Sequence, residues 1–270
     1  MQIKTLTDYL EQVAPLAFQE SYDNSGLIVG YEMAELKGVL VCLDVTEEIV
    51  DEAISLGCNL IVAHHPVIFQ GLKKLTGENF IQRTVVKAIR HDIAIYAAHT
   101  NLDNTLVNGV NDKIAQMIGL KDIRPLQRKS PLLAEKYDKD PLKTGTGLIG
   151  FLPQPMPPLD FLRQIKTNMQ VPTLKYTKLP GHNIEKIALC GGAGGFLLKH
   201  AIAAGADLFL SSDFKYHEYF NADGRIVIAD IGHFESERFT IDVLYELISD
   251  KFRTFAVHYT KCNTNPIQYL

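Results

Sequence analysis

Residues 38–66 read GVLVCLDVTEEIVDEAISLGCNLIVAHHP, a stretch in which two apolar runs flank an amphipathic segment. Strands that are apolar throughout and separated by helical segments of about 10–15 residues are typical of a parallel sheet covered on both faces. The alternation continues through residues 80–103, which end in IAIYAAHTNLD. The sequence therefore predicts an α/β fold with mostly parallel sheets flanked by helices.

The chain also contains a weak internal repeat. When residues 38–62 are shifted by 148 positions without a gap, they fall on a second strand-helix-strand pattern in which Cys42 aligns with Cys190. A shift of 134 positions aligns a second motif, His followed by three residues and an acid, at His99 and His233. Any two such units share some patterning, but two matches in the same order favour two similar lobes.

Residues 126–147, LQRKSPLLAEKYDKDPLKTGTG, are polar, contain two prolines and have no sustained periodicity. This composition is typical of a connecting loop. The sequence predicts a first α/β lobe over residues 1–127, a connecting loop over 128–147 and a second α/β lobe over 148–270. We expect the second lobe to end in a strand near Phe255 and the metal site described below to lie between the lobes.

The composition of the chain argues against some classes of binding partner and against a location in the membrane. The net charge is -4 and the chain has no long basic run, which argues against nucleic acid as a ligand. No window approaches the roughly 18 apolar residues of a membrane span, so we expect a cytoplasmic protein without a membrane anchor. Four widely spaced cysteines argue against a disulfide framework or a cysteine zinc site: Cys42, Cys58, Cys190 and Cys262.

Histidines and acids follow three of the predicted strands. His64 and His65 end the run LIVAHHP, and Pro66 interrupts the strand after them. Ligands of open parallel sheets bind beyond the carboxyl ends of the strands. Because successive strand residues point to opposite sides, adjacent histidines suit two neighbouring metal ions better than one. The alternative is one buried histidine with a backbone hydrogen bond and one exposed histidine.

Three further residues complete a candidate ligand set. Asp103 ends the next predicted strand region, and His233 and Glu237 follow a third strand, where helical geometry places them on one side of the chain. A single His-x-x-x-Glu pair often lies at the start of a helix without binding a metal ion. Three imidazoles and two carboxylates at strand ends, however, fit Zn, Mn or Fe better than the all-oxygen sites of Ca or Mg.

In these residues and in several other segments, the sequence resembles the NIF-three-like family. Members of this family are also called type-two GTP cyclohydrolase homologues. The resemblance covers nearly the whole chain and rests on these segments in family order: YDNSGLIVG, VAHHP, AAHTNLD, CGGAGG, LFLSSDFKYHE, IGHFESE and TNP. It implies that one metal ion is bound by His65 and Asp103. It also implies that a second ion is bound by His64 and His233, and that Glu237 bridges the two ions.

The sequence departs from the family pattern in three places. Many members insert a separate domain where this chain has only the short loop over 128–147. Phe234 stands where the glycine-histidine motif usually continues with Tyr, and Tyr22 stands where Trp is common. Phe234 carries no hydroxyl, so a role of that group does not carry over to this chain.

His99 is the repeat counterpart of His233, although the family pattern does not make it a ligand. We predict that it orients a ligand or transfers protons as a catalytic residue, with a neutral core histidine as the alternative. The glycine turn after the strand KIALC could receive a phosphate on its N–H groups, although such turns are more often tight connections. The substrate-binding residues predicted in this turn are Gly191, Gly192, Gly194 and Gly195. The resemblance adds Asn24 and Lys215 as substrate-binding residues, and Asp213 and His217 as further candidates to line the cavity. For each of these four polar residues the alternative is an ordinary solvated loop or helix-cap residue.

Two classes of function fit these residues. The first is a metal-dependent hydrolase of a small phosphorylated or nucleotide-like metabolite, because a centre of two divalent ions with open positions activates water. The second is a non-catalytic protein in which the metals are structural or sensed, or in which the chain binds a partner. The resemblance also implies a ring-shaped homohexamer, which the sequence itself does not indicate.

Overall fold

The computed structural model describes all residues from 1 to 270 and has the expected α/β architecture. Helices and strands alternate along most of the chain. The α-helices are α1 (Ile3–Val13), α2 (Glu47–Ser55), α3 (Phe80–Arg90), α4 (Thr100–Asp103), α5 (Val110–Ile118), α6 (Pro131–Lys136), α7 (Pro158–Asn168), α8 (Leu198–Ala203), α9 (His233–Glu237) and α10 (Thr240–Lys251). The strands are β1 (Gly26–Val29), β2 (Gly38–Cys42), β3 (Leu60–Ala63), β4 (Ala94–Ala97), β5 (Lys121–Arg128), β6 (Gly145–Met156), β7 (Lys175–Tyr176), β8 (Ile184–Leu189), β9 (Leu208–Ser211), β10 (Val227–Asp230) and β11 (Ala256–Tyr259).

The chain forms two compact units, and each is discontinuous in sequence. The first unit contains residues 1–102 and 240–266, and the second contains residues 103–239 and 267–270. This division differs from the predicted lobes, because the strand expected near Phe255 is β11, which pairs in parallel with β2 of the first sheet. A terminal strand can join any sheet whose edge is free, and the local sequence does not specify which one.

The first unit contains a five-stranded sheet in the order β1-β4-β3-β2-β11. The strands β4, β3, β2 and β11 are parallel to their neighbours, and only β1 pairs antiparallel, with β4. All residues of β2, β3 and β4 are buried. The first sheet is therefore mostly parallel, as predicted, and is covered on both faces.

The second unit contains a six-stranded sheet in the order β5-β6-β8-β9-β10-β7. Its centre, β8-β9-β10, is parallel, but the pairs β5-β6, β6-β8 and β10-β7 are antiparallel. This sheet is mixed rather than mostly parallel. The difference arises mainly at β5 and β6, two long strands that pair with each other antiparallel. An antiparallel pair needs no crossover connection, although α6 lies between these strands in the sequence.

The segment expected to be a connecting loop has structure of its own. Between residues 128 and 147 the chain forms α6, a 3₁₀ turn (Pro141–Lys143) and the start of β6. Ala134 of α6 is completely buried. The two prolines that suggested a loop lie at the first positions of the helix and of the 3₁₀ turn, where a missing N–H is tolerated.

The internal repeat corresponds to matching elements in the two units. Shifted by 148 positions, α2 falls on residues 195–203, which form a 3₁₀ turn and α8, and β3 falls on β9. Ala53 of α2 and Ala201 of α8, which the repeat aligns, are both fully buried. Leu60 of β3 and Leu208 of β9 are also aligned and are fully buried as well. The two units are thus built around similar strand-helix-strand cores.

None of the helices is both long enough and apolar enough to span a lipid bilayer.

The repeat predicts equal sensitivity of the two cores to loss of side-chain volume. We expect Leu60→Ala and Leu208→Ala each to lower the free energy of unfolding by about 2–5 kcal/mol, because each leaves a cavity in a close-packed strand. Leu132→Ala is the control, since Leu132 is 78% exposed, and should change stability by less than about 0.5 kcal/mol. Urea unfolding followed by circular dichroism measures all three. A large effect at only one of the two buried positions would contradict an equivalent role in the two units.

Candidate metal centre

Three histidines of the first unit lie together at one edge of its sheet. His64 and His65 follow β3, and His99 follows β4; these strands are parallel neighbours, with Ala63 paired with Ala97. The ring centroids are 4.8 Å apart for His64 and His65, 5.2 Å for His64 and His99, and 5.4 Å for His65 and His99. One potential ligand atom from each residue lies within 4.8 Å of the other two. This group could hold a metal ion.

The strand alternation expected for the histidine pair does not apply. His64 and His65 lie in a bend beyond the end of β3, not within the strand. Their rings are therefore neighbours, tilted by 46° to each other. His64 is completely buried, whereas His65 is partly exposed.

Each of these imidazoles is oriented by a hydrogen bond from Nδ1. In each case the acceptor is a backbone or carboxylate oxygen, so Nδ1 carries the proton. Nε2 is then the ring nitrogen with the lone pair, which can bind a metal ion or a proton. The pairs are His64 with the carbonyl of Ala98 at 2.8 Å, His65 with Asp44 at 2.7 Å and His99 with Asp23 at 2.7 Å. The same arrangement supports metal-bound histidines in many proteins.

Asp44 connects the histidine pair to the C-terminal motif. Burial alone would raise the pKa of Asp44, but the hydrogen bonds with His65 and with Thr264 outweigh burial and lower this pKa. The Thr264 hydroxyl donates to Asp44 at 2.7 Å. The TNP motif therefore fixes the carboxylate that in turn orients His65.

Asp23 plays the corresponding part for His99. Its side chain is buried and accepts hydrogen bonds from His99, from the Ser25 hydroxyl at 2.8 Å and from the backbone N–H of Thr100 at 3.0 Å. Burial would raise the pKa of Asp23, yet the hydrogen bond from His99 and the others hold it well below its usual range. The neighbouring Asn24, predicted to bind substrate, donates its amide to the carbonyl of Ile68 at 2.6 Å.

In the second unit, α9 carries His233 and Glu237. Gly232, with a φ of 88°, turns the chain from β10 into this helix. Nε2 of His233 lies 3.0 Å from a carboxylate oxygen of Glu237, and Nδ1 lies 2.6 Å from a carboxylate oxygen of Asp213. Glu237 is only 3% exposed. The predicted i, i+4 pair is thus in direct contact.

The imidazole of His233 lies between two carboxylates. Burial lowers its pKa, but the hydrogen bonds with Asp213 and Glu237 raise the pKa more strongly, to about 11. Two carboxylates around one ring favour a positive charge at this position. A divalent cation on Nε2 and Glu237 would satisfy the same demand, so the donor set fits a metal ion.

The glycine turn approaches Glu237 closely. Gly192 has a φ of 62°, and a Cβ atom there would lie 2.2 Å from Oε1 of Glu237. The N–H of Gly192 donates to the Ser236 hydroxyl at 2.9 Å, which donates to the carbonyl of His233 at 2.8 Å. The turn is therefore packed against both residues of the pair, which explains why it requires glycine at position 192.

Other N–H groups of the turn also have partners within the protein. Gly191 donates to Asn111, and Gly194 donates to the Ser211 hydroxyl, each at 2.9 Å. An anion site on this turn stays a prediction and would have to use the N–H groups of Ala193 and Gly195.

Asp103 lies at the end of α4, where Asn111 fixes the local backbone. The Asn111 amide donates to the carbonyl of Asp103 at 3.1 Å, while its oxygen accepts from Gly191. Asn111 is 2% exposed. Lys215, predicted to bind substrate, is exposed, and its N–H forms a helix cap with Glu218 at 2.7 Å.

Sequence reasoning missed several residues that orient the candidate ligands. The two missed carboxylates adjoin features that the sequence does show: Asp23 precedes Asn24, and Asp44 follows β2. The sequence indicates Asp213 only as a residue that lines the cavity, whereas the structure places it against His233. The missed residues are Asp23, Asp44, Asn111 and Thr264.

Comparison with known proteins gives a consistent family. The family model described as Duf34/NIF3 (NGG1p interacting factor 3) matches residues 1–266. A Clostridium perfringens protein named GTP cyclohydrolase 1 type 2 homolog is 34% identical over 241 residues, covering 88% of this chain and 87% of the relative. A Campylobacter jejuni protein of the same name is 30% identical over 272 residues, covering 100% of both chains.

Solved structures are similar over the whole chain. The crystal structure of Staphylococcus aureus protein SA1388 has a TM-score of 0.89 at 30% identity, covering 100% of this chain and 99% of that one. The structure of reduced HcgD from Methanocaldococcus jannaschii has a TM-score of 0.78 at 25% identity, covering 97% and 98%.

The contact of Gly192 with Glu237 generates a prediction. We expect Gly192→Ala to weaken binding of Zn²⁺ or Mn²⁺ by about tenfold or more, because the added Cβ displaces the carboxylate of Glu237. Gly119→Ala is the matched control, since Gly119 also has a positive φ, of 79°, and a Cβ there meets no atom within 4 Å. Titration calorimetry of the folded proteins measures the affinities. Equal affinity of the Gly192 variant and the control would show that the carboxylate is not a ligand or moves without cost.

Proposed function

The chain belongs to the Duf34/NIF3 family, and from this we propose that it is a metal-dependent hydrolase of a small phosphorylated or nucleotide-like metabolite. The proposed cofactor is a pair of divalent ions, Zn, Mn or Fe. The proposed ligands are His64, His65, Asp103, His233 and Glu237. We also propose a homohexamer, which light scattering tests, and a cytoplasmic location.

One observation carries the proposal: the candidate imidazoles all have Nδ1 hydrogen-bonded to an oxygen acceptor. With the proton on Nδ1, Nε2 of His64 and His65 is the ring nitrogen whose lone pair can bind a metal ion. Nε2 of His233 lies beside Glu237. Imidazoles that serve only as core packing need no such uniform orientation. Mixed nitrogen and carboxylate donors favour zinc and its neighbours over calcium.

A pair of divalent ions would supply Lewis-acid activation of water and neutralise charge on a phosphoryl oxygen. The protein residues then have separate tasks. Asp44 and Asp213 keep the imidazoles of His65 and His233 in fixed orientations, and Gly192 allows Glu237 to approach. The residues proposed to contact substrate are Asn24, Lys215 and the glycine turn of residues 191–195.

His99 is proposed to transfer a proton. Its Nδ1–H donates to Asp23, so Nε2 is the atom that can take a proton from water or give one to a leaving group. The buried carboxylate would stabilise the imidazolium that forms during transfer. His99 lies close enough to the histidine pair for this role, with ring distances of 5.2 and 5.4 Å.

The first test measures metal content and hydrolytic activity on the same protein samples. Protein purified without chelators should contain about two divalent ions per chain by elemental analysis. A screen of phosphoesters and nucleotides should include GTP, because the relatives' name mentions GTP cyclohydrolase. We expect Glu237→Ala to lose metal and hydrolysis, while the exposed-site control Glu135→Ala retains both.

The outcomes of this test separate the two classes of function. Hydrolysis that survives in Glu237→Ala would refute the catalytic proposal. Bound metal without hydrolysis of any compound in the screen would favour the non-catalytic alternative, in which the metal is structural or sensed.

The role of His99 is tested separately. We expect His99→Ala to bind metal as tightly as the wild type but to lower kcat by about 10²–10⁴-fold, the usual contribution of general acid-base catalysis. Calorimetry gives the metal affinity and steady-state kinetics gives kcat. A fall in metal affinity would make His99 a ligand instead, and an unchanged kcat would remove it from the site.

A further inference from the structure

A groove in the second unit combines exposed aromatic rings with cationic side chains. It lies along α8 and the preceding 3₁₀ turn (Gly195–Leu197) on one side and the end of the 3₁₀ helix Tyr216–Ala222 on the other. Its volume is about 430 Å³, within the usual size of small-molecule sites. The side chains that define this groove, called the aromatic groove below, are Phe196, Lys199, Ile202, Phe220, Asp223 and Arg225.

The two phenylalanines are exposed on well-fixed backbone. Phe196 is 54% exposed and Phe220 is 67% exposed. Phe196 lies in a turn held by the hydrogen bonds from Gly194 N–H to the Ser211 hydroxyl and from Leu197 N–H to the Gly194 carbonyl. Large aromatic side chains left in water at fixed positions are typical of binding surfaces rather than of ordinary solvent-facing turns.

The ring of Phe220 also belongs to a small aromatic stack. Its centroid lies 5.6 Å from that of Tyr216 and 6.3 Å from that of His217, the latter pair with an interplanar angle of 30°. The chain leaves this helix through Asp223, whose N–H bonds to the carbonyl of Phe220 at 3.1 Å. The platform is therefore ordered before any ligand arrives, which reduces the entropy cost of binding.

The charges of the groove select anions. Lys199 is exposed, and Arg225 pairs only weakly with Asp223, at 3.5 Å and with 57% and 75% of the side chains exposed. An exposed pair of this kind contributes little, so Arg225 can exchange Asp223 for a stronger anion. Two cations against one carboxylate give the groove a positive balance on a chain whose net charge is -4.

We propose that the aromatic groove binds a mononucleotide-like ligand, with a planar ring on the phenylalanine side and a phosphate at Lys199 and Arg225. Inorganic phosphate alone would not use the exposed rings, and an apolar peptide would not use the cations. Base stacking on aromatic side chains and phosphate pairing with Arg and Lys are the two interactions that this combination provides.

The aromatic groove is separate from the proposed metal ligands. None of its defining side chains belongs to the ligand set, so a nucleotide bound there does not need the metal ions. The glycine turn nevertheless adjoins both features: Gly192 packs on Glu237, while Gly195 lines the groove. A ligand in the groove would therefore contact the turn that positions Glu237.

The experiment measures binding of GMP, AMP and inorganic phosphate to the full chain by titration calorimetry. We expect saturable binding of GMP or AMP that is tighter than binding of phosphate and is unchanged in Glu237→Ala. The double variant Lys199→Glu, Arg225→Glu should weaken nucleotide binding at least tenfold, whereas the exposed charge control Lys166→Glu should not. Phe220→Ala should weaken nucleotide binding roughly 5- to 150-fold, as loss of one stacking partner does, and leave phosphate binding unchanged.

Phe80→Ala is the control for loss of an exposed ring, since Phe80 is 56% exposed in the first unit. Absence of nucleotide binding, or binding that disappears in Glu237→Ala, would overturn the proposal. So would full nucleotide affinity in the double charge variant. Light scattering adds a further check: a change of particle mass in Phe220→Ala would assign the rings to contacts between copies of the chain and would also overturn it.

Discussion

Parallel pairing of neighbouring strands is the constraint on which the candidate centre rests. In the first unit β3 and β4 run side by side, so the residues that follow them, His64, His65 and His99, emerge at one edge. In the second unit β9 and β10 do the same for Asp213 and His233. Parallel strands present their carboxyl ends together, which is why residues far apart in sequence become neighbours there.

Hydrogen-bond acceptors orient the imidazoles in each of the two units. Carboxylates hold three rings: Asp44 for His65, Asp23 for His99 and Asp213 for His233. The low pKa of Asp23 and Asp44, despite burial, keeps these partners ionised over the physiological range. The sign of this effect matters for stability. Because these pKa values are lower in the folded chain, their stabilising contribution is present above the ordinary carboxyl range and is lost as the pH falls through the folded values.

The two units have different residues at equivalent positions beyond the ends of their strands. The repeat places Ser212 and Asp213 at the positions of His64 and His65, so the second unit has an acid where the first has an imidazole. It also places Gly192 at the position of Asp44. In the first unit a carboxylate after the first strand orients a histidine, whereas in the second unit a glycine at that position makes room for Glu237. Similar cores thus carry different polar edges.

The sequence by itself determined the α/β class, the repeat and the pairing of His233 with Glu237, because these depend on local periodicity and on spacing within one helix. It also marked His64, His65 and His99 as residues at strand ends. It did not determine that β11 joins the first sheet, that the second sheet is mixed or that residues 131–136 form a helix. The partners Asp23, Asp44 and Thr264 were likewise settled only by tertiary structure. Each of these depends on contacts between residues that are distant in sequence, such as Thr264 with Asp44, and such contacts leave no periodic signal in the chain.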